Sequence, residues 1–284
     1  MTAISIVLSH YQASHLIENQ HNIGKIVSTS LNLGKSLSRA TIESEGVIFQ
    51  DRGFVSWEVI MMIFNSKNNC FIVKEGEPEK IIAFSDQTNR VYSLYPTSQA
   101  PTMLISGIPM HRIKDTTPDM DTQTKIKSIR PTHGRVLDTS TGLGYTAIQA
   151  AQTTRQVLTI ELDPAVLDIA RMNPWSYQLF TDANISQIIG DSSDLIHIFP
   201  DHYFDYVIHD PPVLSLAGSL YSEHFYLGLF RIINKGGKLF HYIGDPESHS
   251  GKRTTAGVTT RLTKAGFNQV QPNKKAFGVV AFKL

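Results

Sequence analysis

The chain has few of the features that mark secreted, membrane-bound or metal-binding proteins. Its 284 residues include one cysteine, Cys70, which cannot form an internal disulfide, and no Cys/His cluster has the spacing of a zinc site. No apolar run reaches the ~20 residues of a membrane helix, and residues 1–20 contain neither a basic leader nor a cleavage signal. The net charge is only +1, which excludes a general attraction to nucleic acid. We therefore expect a cytoplasmic protein without a metal or a membrane partner.

The first 115 residues predict a small β-rich domain. One helix is expected at 56–64, with Ser56 as its N-cap and Glu58 in its first turn. The stretch 114–121 is polar and broken by Pro118, which indicates a domain boundary. We expect the domain of residues 1–115 to contribute to substrate recognition. Its predicted strands are short segments rich in β-branched and aromatic residues, at 25–31, 46–50, 70–73, 80–84, 90–95 and 102–105.

Residues 116–284 predict an α/β domain built on a doubly wound, mostly parallel sheet. Strands and helices alternate along this part of the chain, and such alternation places ligands at the carboxyl ends of the strands. Seven strands are expected, at 135–138, 157–161, 185–189, 204–209, 237–243, 267–271 and 276–282. The helices between them are expected at 145–152, 164–172, 193–198, 222–233 and 254–265.

The first strand of this domain ends in Asp138 and leads into a glycine turn typical of a nucleotide-cofactor site. Gly142 and Gly144 allow the backbone to approach a ligand that a side chain would exclude. The spacing Gly142-x-Gly144-x-x-Ala147, with Glu161 roughly 20 residues further on, also satisfies the dinucleotide fingerprint. A nicotinamide or flavin cofactor therefore stays open on this motif alone.

The first four strands of the domain each end near a carboxylate, the fourth being Asp210. Asp138 and its turn would lie beside a ligand's charged tail, Glu161 can accept both hydrogens of a ribose diol, and Asp191 can accept from an adenine amine. A carboxylate after a strand can also be only a helix cap or a turn residue. Four anions at one edge tolerate a cationic sulfonium and repel a pyrophosphate. This pattern favours S-adenosylmethionine over a dinucleotide.

Six short segments follow one another along the second half of the chain. They are Asp-Thr-Ser-Thr-Gly-Leu-Gly-Tyr-Thr-Ala (138–147), Thr-Ile-Glu-Leu-Asp-Pro (159–164), Asn-Pro-Trp-Ser (173–176), Gly-Asp (190–191), Phe-Asp-Tyr-Val-Ile-His-Asp-Pro-Pro (204–212) and Leu-Phe-His-Tyr-Ile-Gly (239–244). In this order they resemble class I S-adenosylmethionine-dependent methyltransferases. With the segments 110–112 and 215–222 added, the chain more narrowly resembles a family of predicted methyltransferases found mainly in archaea.

The resemblance implies which residues surround the cofactor. Asp138, Gly142 and Gly144 would line its methionine side, Glu161 would hold the ribose, and Asp191 would face the adenine. The general class often has glycine at the position of Ser140, so the backbone at 139–141 can follow a different path. The expected cofactor-binding set is completed by Ser140, Leu162 and Ser192.

The segment His-Asp-Pro-Pro that ends the fourth strand resembles the Asp/Asn-Pro-Pro-aromatic motif of amino-methyltransferases acting on bases. In that motif the acidic or amide side chain and the next backbone carbonyl accept hydrogen bonds from the target amine, which Asp210 and Pro211 can do here. Val213 occupies the place of the aromatic residue, which weakens the case for a stacked base. His209 and His241 stand near strand ends and are candidate proton acceptors. The two prolines can also be only a rigid turn.

The predicted reaction transfers a methyl group from the cofactor sulfur to a nitrogen, less readily to an oxygen, of the acceptor. Asp210, His209 and Pro211 are the predicted catalytic residues, and the acceptor is RNA, a protein or a small metabolite. Two alternatives stay open. One is an aminopropyltransferase that uses decarboxylated S-adenosylmethionine, and the other is a non-catalytic adenosine-binding protein. Any oligomeric state is compatible with the sequence.

Overall fold

A computed structural model describes residues 6–50, 52–212, 214 and 217–284. The chain forms two compact units: Met1–Asp119 with Ala165–Tyr177, and Met120–Pro164 with Gln178–Leu284. In the described residues, no helix is long and apolar enough to cross a membrane.

The first unit is rich in antiparallel strands. Its three sheets have the strand orders β1-β6-β7, β2-β3-β4-β5 and β11-β10-β9-β8. The strands are Ile6–Leu8 (β1), Ile26–Thr29 (β2), Ser38–Ile42 (β3), Gly46–Phe49 (β4), Gly53–Ser56 (β5), Phe71–Lys74 (β6), Glu77–Lys80 (β7), Ile82–Ser85 (β8), Arg90–Tyr95 (β9), Thr102–Ile105 (β10) and Ile108–Pro109 (β11). The helices His10–Glu18 (α1) and Trp57–Asn65 (α2) share an apolar core with strands of the first two of these sheets.

Local sequence signals account for the helix ends of this unit. The Ser56 hydroxyl accepts a hydrogen bond from the Val59 amide, which confirms the predicted N-cap of α2. Helix α1 was not expected, although it begins with a capping box in which Ser9 and Gln12 satisfy each other's backbone amides. In place of the single strand expected at 80–84 there are two strands, β7 and β8, and β7 contains Pro78 although proline is depleted in strands.

The segment that follows the second strand of the α/β region packs with the first unit. It contains most of the helix Pro164–Met172 (α5) and a short turn of helix at Pro174–Ser176. The Trp175 indole nitrogen donates to the Leu33 carbonyl at 3.1 Å, and Lys35 Nζ donates to the Pro174 carbonyl at 2.9 Å. Hydrogen bonds between side chains and backbone carbonyl groups therefore connect the Asn-Pro-Trp-Ser segment to residues 33–35.

The second unit contains a seven-stranded mixed sheet with the strand order β14-β13-β12-β15-β16-β18-β17. Its strands are Arg135–Asp138 (β12), Gln156–Glu161 (β13), Ile185–Ile189 (β14), Phe204–His209 (β15), Ile233–Tyr242 (β16), Asn268–Asn273 (β17) and Gly278–Phe282 (β18). The helices are Pro118–Ile129 (α3), Tyr145–Ala151 (α4), Tyr177–Thr181 (α6), Ser192–Leu195 (α7), Glu223–Ile232 (α8) and His249–Lys264 (α9).

The expected seven-stranded, mostly parallel sheet is confirmed in its coarse form as a mixed sheet. Strands β12 to β16 pair in parallel, whereas β18 pairs antiparallel with both β16 and β17, so the sheet is not entirely parallel. The stretch 114–121, interpreted as a boundary because it is polar and contains proline, includes the start of α3. Pro118 is the first residue of that helix, where a missing N–H costs nothing.

Lys283 is a buried lysine that closes the carboxyl end of α8. Its side chain donates to the backbone carbonyls of Phe230 at 2.6 Å and Ile233 at 2.7 Å, although the residue is only 4% exposed. The last carbonyls of a helix have no partner within the helix, and the ammonium also complements the negative end of the helix dipole. Lys283 thus joins α8 to the end of β18.

We expect Lys283→Met to lower the free energy of unfolding by about 1–3 kcal/mol, because it leaves buried carbonyls without donors. Chemical denaturation of the purified protein measures this. The matched control is Lys235→Met, since Lys235 is exposed. An equal loss of stability in the two variants would contradict this role of Lys283.

Candidate functional site at the carboxyl edge of the sheet

The glycine turn after β12 needs its glycines for conformational reasons. Gly142 and Gly144 have φ values of 53° and 76°, in the left-handed region. A Cβ atom on Gly144 would lie 2.6 Å from the side chain of Leu179. The Gly144 amide closes the turn by donating to the Thr141 carbonyl at 2.7 Å. The sequence therefore fixes a tight turn directly beyond Asp138.

Asp138 is fully buried beneath this turn. Its Oδ2 accepts hydrogen bonds from the hydroxyls of Thr146 and Thr159, each at 3.0 Å. No hydrogen bond of good geometry reaches Oδ1 from the described residues. Burial raises the pKa of Asp138 to about 7, against the opposing effect of the two hydroxyls and the Ser140 amide. A cation placed at Oδ1 would stabilise the ionised form.

Glu161, at the end of β13, is held by backbone amides. Its Oε2 accepts from Gly142 at 2.8 Å and its Oε1 accepts from Asp163 at 3.1 Å. Burial raises the pKa of Glu161 to about 7 although these amides favour the ionised form. The carboxylate that the sequence predicts as a ribose acceptor therefore also holds the glycine turn. Leu162, next to it, is 41% exposed.

Asp191 and Ser192 connect the end of β14 to the same turn. Asp191 is the N-cap of α7, where its Oδ1 accepts from the Ser193 amide and hydroxyl, both at 2.7 Å. The buried Ser192 hydroxyl donates to the Thr139 carbonyl at 2.7 Å. Asp191 thus has the capping role that was one of its two expected interpretations, and its contact with adenine stays a prediction.

Asp210, directly after β15, is paired with a lysine that sequence reasoning missed. Lys125 Nζ lies 2.7 Å from Asp210 Oδ2 and 2.9 Å from Asp121 Oδ2. Lys125 is 2% exposed, and the Asp210 side chain is 17% exposed. Burial opposes the charge of Lys125, but the carboxylates of Asp210 and Asp121 outweigh it and raise the lysine pKa. Burial raises the pKa of Asp210, and Lys125 counteracts that rise.

The buried position of His209 does not fit its predicted role as a proton acceptor. It is fully buried, and its Nε2 donates to the Leu220 carbonyl at 2.9 Å. Burial lowers the pKa of His209 to about 3, so the ring is neutral and its Nδ1 accepts from the Thr139 hydroxyl at 2.6 Å. With both nitrogens bonded inside the protein, His209 supports the turn and does not face the edge of the sheet.

His241 and Pro211 complete the predicted set. His241 is also fully buried, its Nε2 lies 2.8 Å from the Tyr226 hydroxyl, and burial holds its pKa well below the usual value. Pro211 follows Asp210 and is buried. The Tyr221 hydroxyl donates to the carbonyl of Pro212 at 3.1 Å. Val213, the position of the missing aromatic, lies outside the described residues, as do 215 and 216 of the segment 215–222. Within the described part, no group of three or more His, Cys, Asp or Glu residues could hold a metal ion.

The burial of Asp138 predicts how stability depends on pH. The folded-state pKa lies near 7 against an ordinary value of 3.8, so the folded protein binds this proton more tightly than the unfolded chain. Its contribution to stability is present below about pH 4 and is lost as the pH rises through about 7. We expect the stability advantage of the ligand-free wild type over Asp138→Asn to shrink across that window, by at most about 1.4 kcal/mol per pH unit.

Urea denaturation at a series of pH values measures this difference. Asp194→Asn serves as the control, because Asp194 is exposed at the start of α7. Parallel stability profiles for the wild type and Asp138→Asn would mean that Asp138 does not titrate in this window.

No family model matches the chain. The crystal structure of a spermidine synthase in complex with the transition-state analogue AdoDATO superposes with a TM-score of 0.59 at 16% identity, covering 70% of this chain and 72% of that one. Phosphoethanolamine N-methyltransferase 2 of Haemonchus contortus, in complex with S-adenosyl-L-methionine, has a TM-score of 0.39 at 21% identity, covering 53% of this chain and 37% of that one. The superposition at a TM-score of 0.59 shows that the chain shares the α/β fold of that spermidine synthase.

Two curated proteins are similar in sequence. Polyamine aminopropyltransferase 2 of Streptomyces coelicolor is 29% identical over 137 residues, which are 45% of this chain and 25% of that protein. The uncharacterized protein MJ1233 of Methanocaldococcus jannaschii is 40% identical over 290 residues, covering 100% of this chain and 99% of that protein. Since this second similarity extends over essentially both whole proteins, the chain belongs to the family of MJ1233.

Proposed function

We propose that this protein transfers an alkyl group, in the first place a methyl group, from an S-adenosyl sulfonium cofactor to a nitrogen atom of an acceptor. The observation that carries this proposal is the buried Asp138, whose Oδ1 accepts no well-formed hydrogen bond from the described residues. A buried carboxylate of this kind is either protonated or paired with a cation, and a cationic ligand at Oδ1 would favour the ionised form. Asp210 and Glu161 add further negative charge at the same edge of the sheet, which favours a cationic ligand.

The residues around the turn fit such a cofactor. Asp138 would pair with the amino group of its tail, since that group is a cation and a hydrogen-bond donor. Glu161 would accept from the ribose with the lone pairs that its two amide contacts leave free. The adenine would lie toward Asp191, Ser192 and the exposed Leu162. When bound, the cofactor supplies an electrophilic carbon attached to a positively charged sulfur.

Asp210 is the residue we assign to the acceptor. Its Oδ2 is occupied by Lys125, and its Oδ1 makes no hydrogen bond with the described residues. Oδ1 and the adjacent Pro211 carbonyl would accept the N–H groups of an amine and so direct the nitrogen lone pair toward the electrophilic carbon. Transfer from a sulfonium relies mainly on such positioning, so a separate base such as His209 is not required.

Transfer of an aminopropyl group is the second candidate, and one feature of the turn favours it. The amides of Thr139, Thr141 and Gly142 donate to Ile208, Ile160 and Glu161 within the protein. These amides are therefore not available to bind the carboxylate that S-adenosylmethionine carries and its decarboxylated form lacks. The sequence similarity to a polyamine aminopropyltransferase and the fold similarity to a spermidine synthase support the same candidate.

The choice of cofactor tests the proposal directly. We expect calorimetric binding of S-adenosylhomocysteine and, with S-adenosylmethionine and a panel of diamines, nucleosides and RNA, a product one methyl group heavier by mass spectrometry. Release of methylthioadenosine from the decarboxylated cofactor would instead establish aminopropyl transfer. Binding without turnover of either cofactor would identify a non-catalytic binder. Binding of NAD but not of S-adenosylhomocysteine would overturn the proposal.

Two substitutions separate cofactor binding from positioning of the acceptor. We expect Glu161→Ala to weaken cofactor binding about 10- to 100-fold, because hydrogen bonds to a charged group are worth about 1.5–3 kcal/mol. Asp210→Ala is expected to keep cofactor affinity and to lower kcat at least about 100-fold, because it removes the oxygen that positions the acceptor. Calorimetry and steady-state kinetics measure the two effects, with Asp194→Ala as control. Normal cofactor binding by Glu161→Ala would contradict the assigned ribose contact.

A further inference from the structure

We propose that Lys125 is a positioning residue of this site, which holds the Asp210 carboxylate in one orientation with Oδ1 directed to the acceptor amine. This inference rests on the proposed function. Lys125 lies on α3, in a stretch where the sequence shows no motif, and it reaches the end of β15, 85 residues further along the chain. The connection therefore exists only in the folded protein.

Two carboxylates and one aromatic ring surround the ammonium group of Lys125. Its Nζ donates to Asp210 Oδ2 at 2.7 Å, lies 2.9 Å from Asp121 Oδ2 as an ion pair, and lies 4.4 Å from the centroid of the Tyr242 ring. These contacts surround the charge with two carboxylates and an aromatic face. With 2% of its side chain exposed, Lys125 acts on a ligand only through Asp210.

Solvent exposure differs among the three charged side chains of this cluster, Asp121, Lys125 and Asp210. Asp121 is 0% exposed and Lys125 is 2% exposed, whereas Asp210 is 17% exposed. Of these three residues, Asp121 and Lys125 are therefore buried, and Asp210 is the one that reaches the surface. Because Lys125 holds Oδ2 of Asp210, Oδ1 is the oxygen that we assign to the acceptor.

Stabilisation of the fold is a weaker explanation for this cluster. Desolvation of buried charges offsets most of their attraction, so replacing a buried ion cluster by apolar residues is often neutral for stability or even favourable. A buried lysine between two aspartates is therefore poorly explained by folding alone. It is explained if an ionised, oriented Asp210 is needed at the edge of the sheet.

The charges around Asp210 come from several elements. Asp121 on α3 and Asp138 at the end of β12 are like charges that oppose its ionisation, and Lys125 is the cation that favours it. Tyr221, before α8, and Tyr242, at the end of β16, are uncharged phenols near the cluster. Without Lys125, burial and the two carboxylates would raise the pKa of Asp210 further and favour its protonated form, which donates as well as accepts. The lysine thus sets both the geometry and the charge of the acceptor oxygen.

The test compares Lys125→Met with Lys127→Met, an exposed lysine on the same helix. In the acceptor assay described above, we expect Lys125→Met to lower kcat about 10- to 100-fold with the cofactor KM unchanged, and to move the acid limb of the pH–rate profile upward by about one unit or more. Lys127→Met is expected to match the wild type, and Lys125→Arg to retain the acid limb with an intermediate kcat. A folded Lys125→Met variant with wild-type kcat and acid limb would overturn the proposal.

Asp121→Asn provides a second variant in case Lys125→Met does not fold. Removing the competing carboxylate leaves Lys125 to Asp210 alone, so the acid limb is expected to move to lower pH; no movement, or movement upward, would overturn the proposal. If the wild type turns over no acceptor, the proposed function fails separately. The ¹³C carboxyl resonance of Asp210 then decides, because its titration midpoint is expected to fall in Asp121→Asn and to rise in Lys125→Met, and an unchanged midpoint would refute the role of Lys125.

Discussion

Burial of carboxylates at one edge of a parallel sheet is the constraint around which the second unit is built. An isolated carboxylate in an apolar interior is strongly disfavoured, so each one needs a compensating contact. The protein uses three different kinds. Asp138 receives two threonine hydroxyls, Glu161 receives two backbone amides, and Asp210 receives a buried lysine. The glycine turn, the end of β13 and helix α3 are each fixed in place by one of these contacts.

The same contacts distinguish this turn from a phosphate-binding loop. Phosphate loops offer free backbone amides to an anion. Here the amides of Thr139, Thr141 and Gly142 are directed at the protein's own carbonyls and at Glu161. Because these three amides are used internally and carboxylates lie beside them, residues 139–142 offer no free donors to a pyrophosphate. The glycine spacing is compatible with both ligands. What distinguishes a site for a cation from a site for a phosphate is whether the backbone amides are free to donate to the ligand.

Periodicity in the sequence predicted most of the seven-stranded sheet. The polar composition of helix α3 did not indicate that this helix contributes Lys125 to the site. The strands at 135–138, 185–189 and 204–209 of that sheet and the N-cap Ser56 are as expected, because β-branched runs and capping hydroxyls act locally. Helix α3 is polar and weakly amphipathic, and its first residues lie in the stretch 114–121 that is interpreted as a boundary. Its one local signal is the i,i+4 pair Asp121–Lys125, which is usually a surface feature. Nothing local indicates that this lysine is buried against Asp210, since that depends on tertiary packing.

The two histidines show why position on a strand does not settle a role. Successive side chains of a strand point to opposite sides, so His209 and Asp210 diverge even though they are neighbours in sequence. His209 and His241 are aligned on the adjacent strands β15 and β16, with ring centroids 4.3 Å apart, and both are buried. A ring this deeply buried stays neutral, so its hydrogen bonds keep one direction at working pH. His209 therefore links Thr139 of the glycine turn to Leu220 beyond the Asp-Pro-Pro segment, which couples the predicted cofactor side of the edge to the predicted acceptor side.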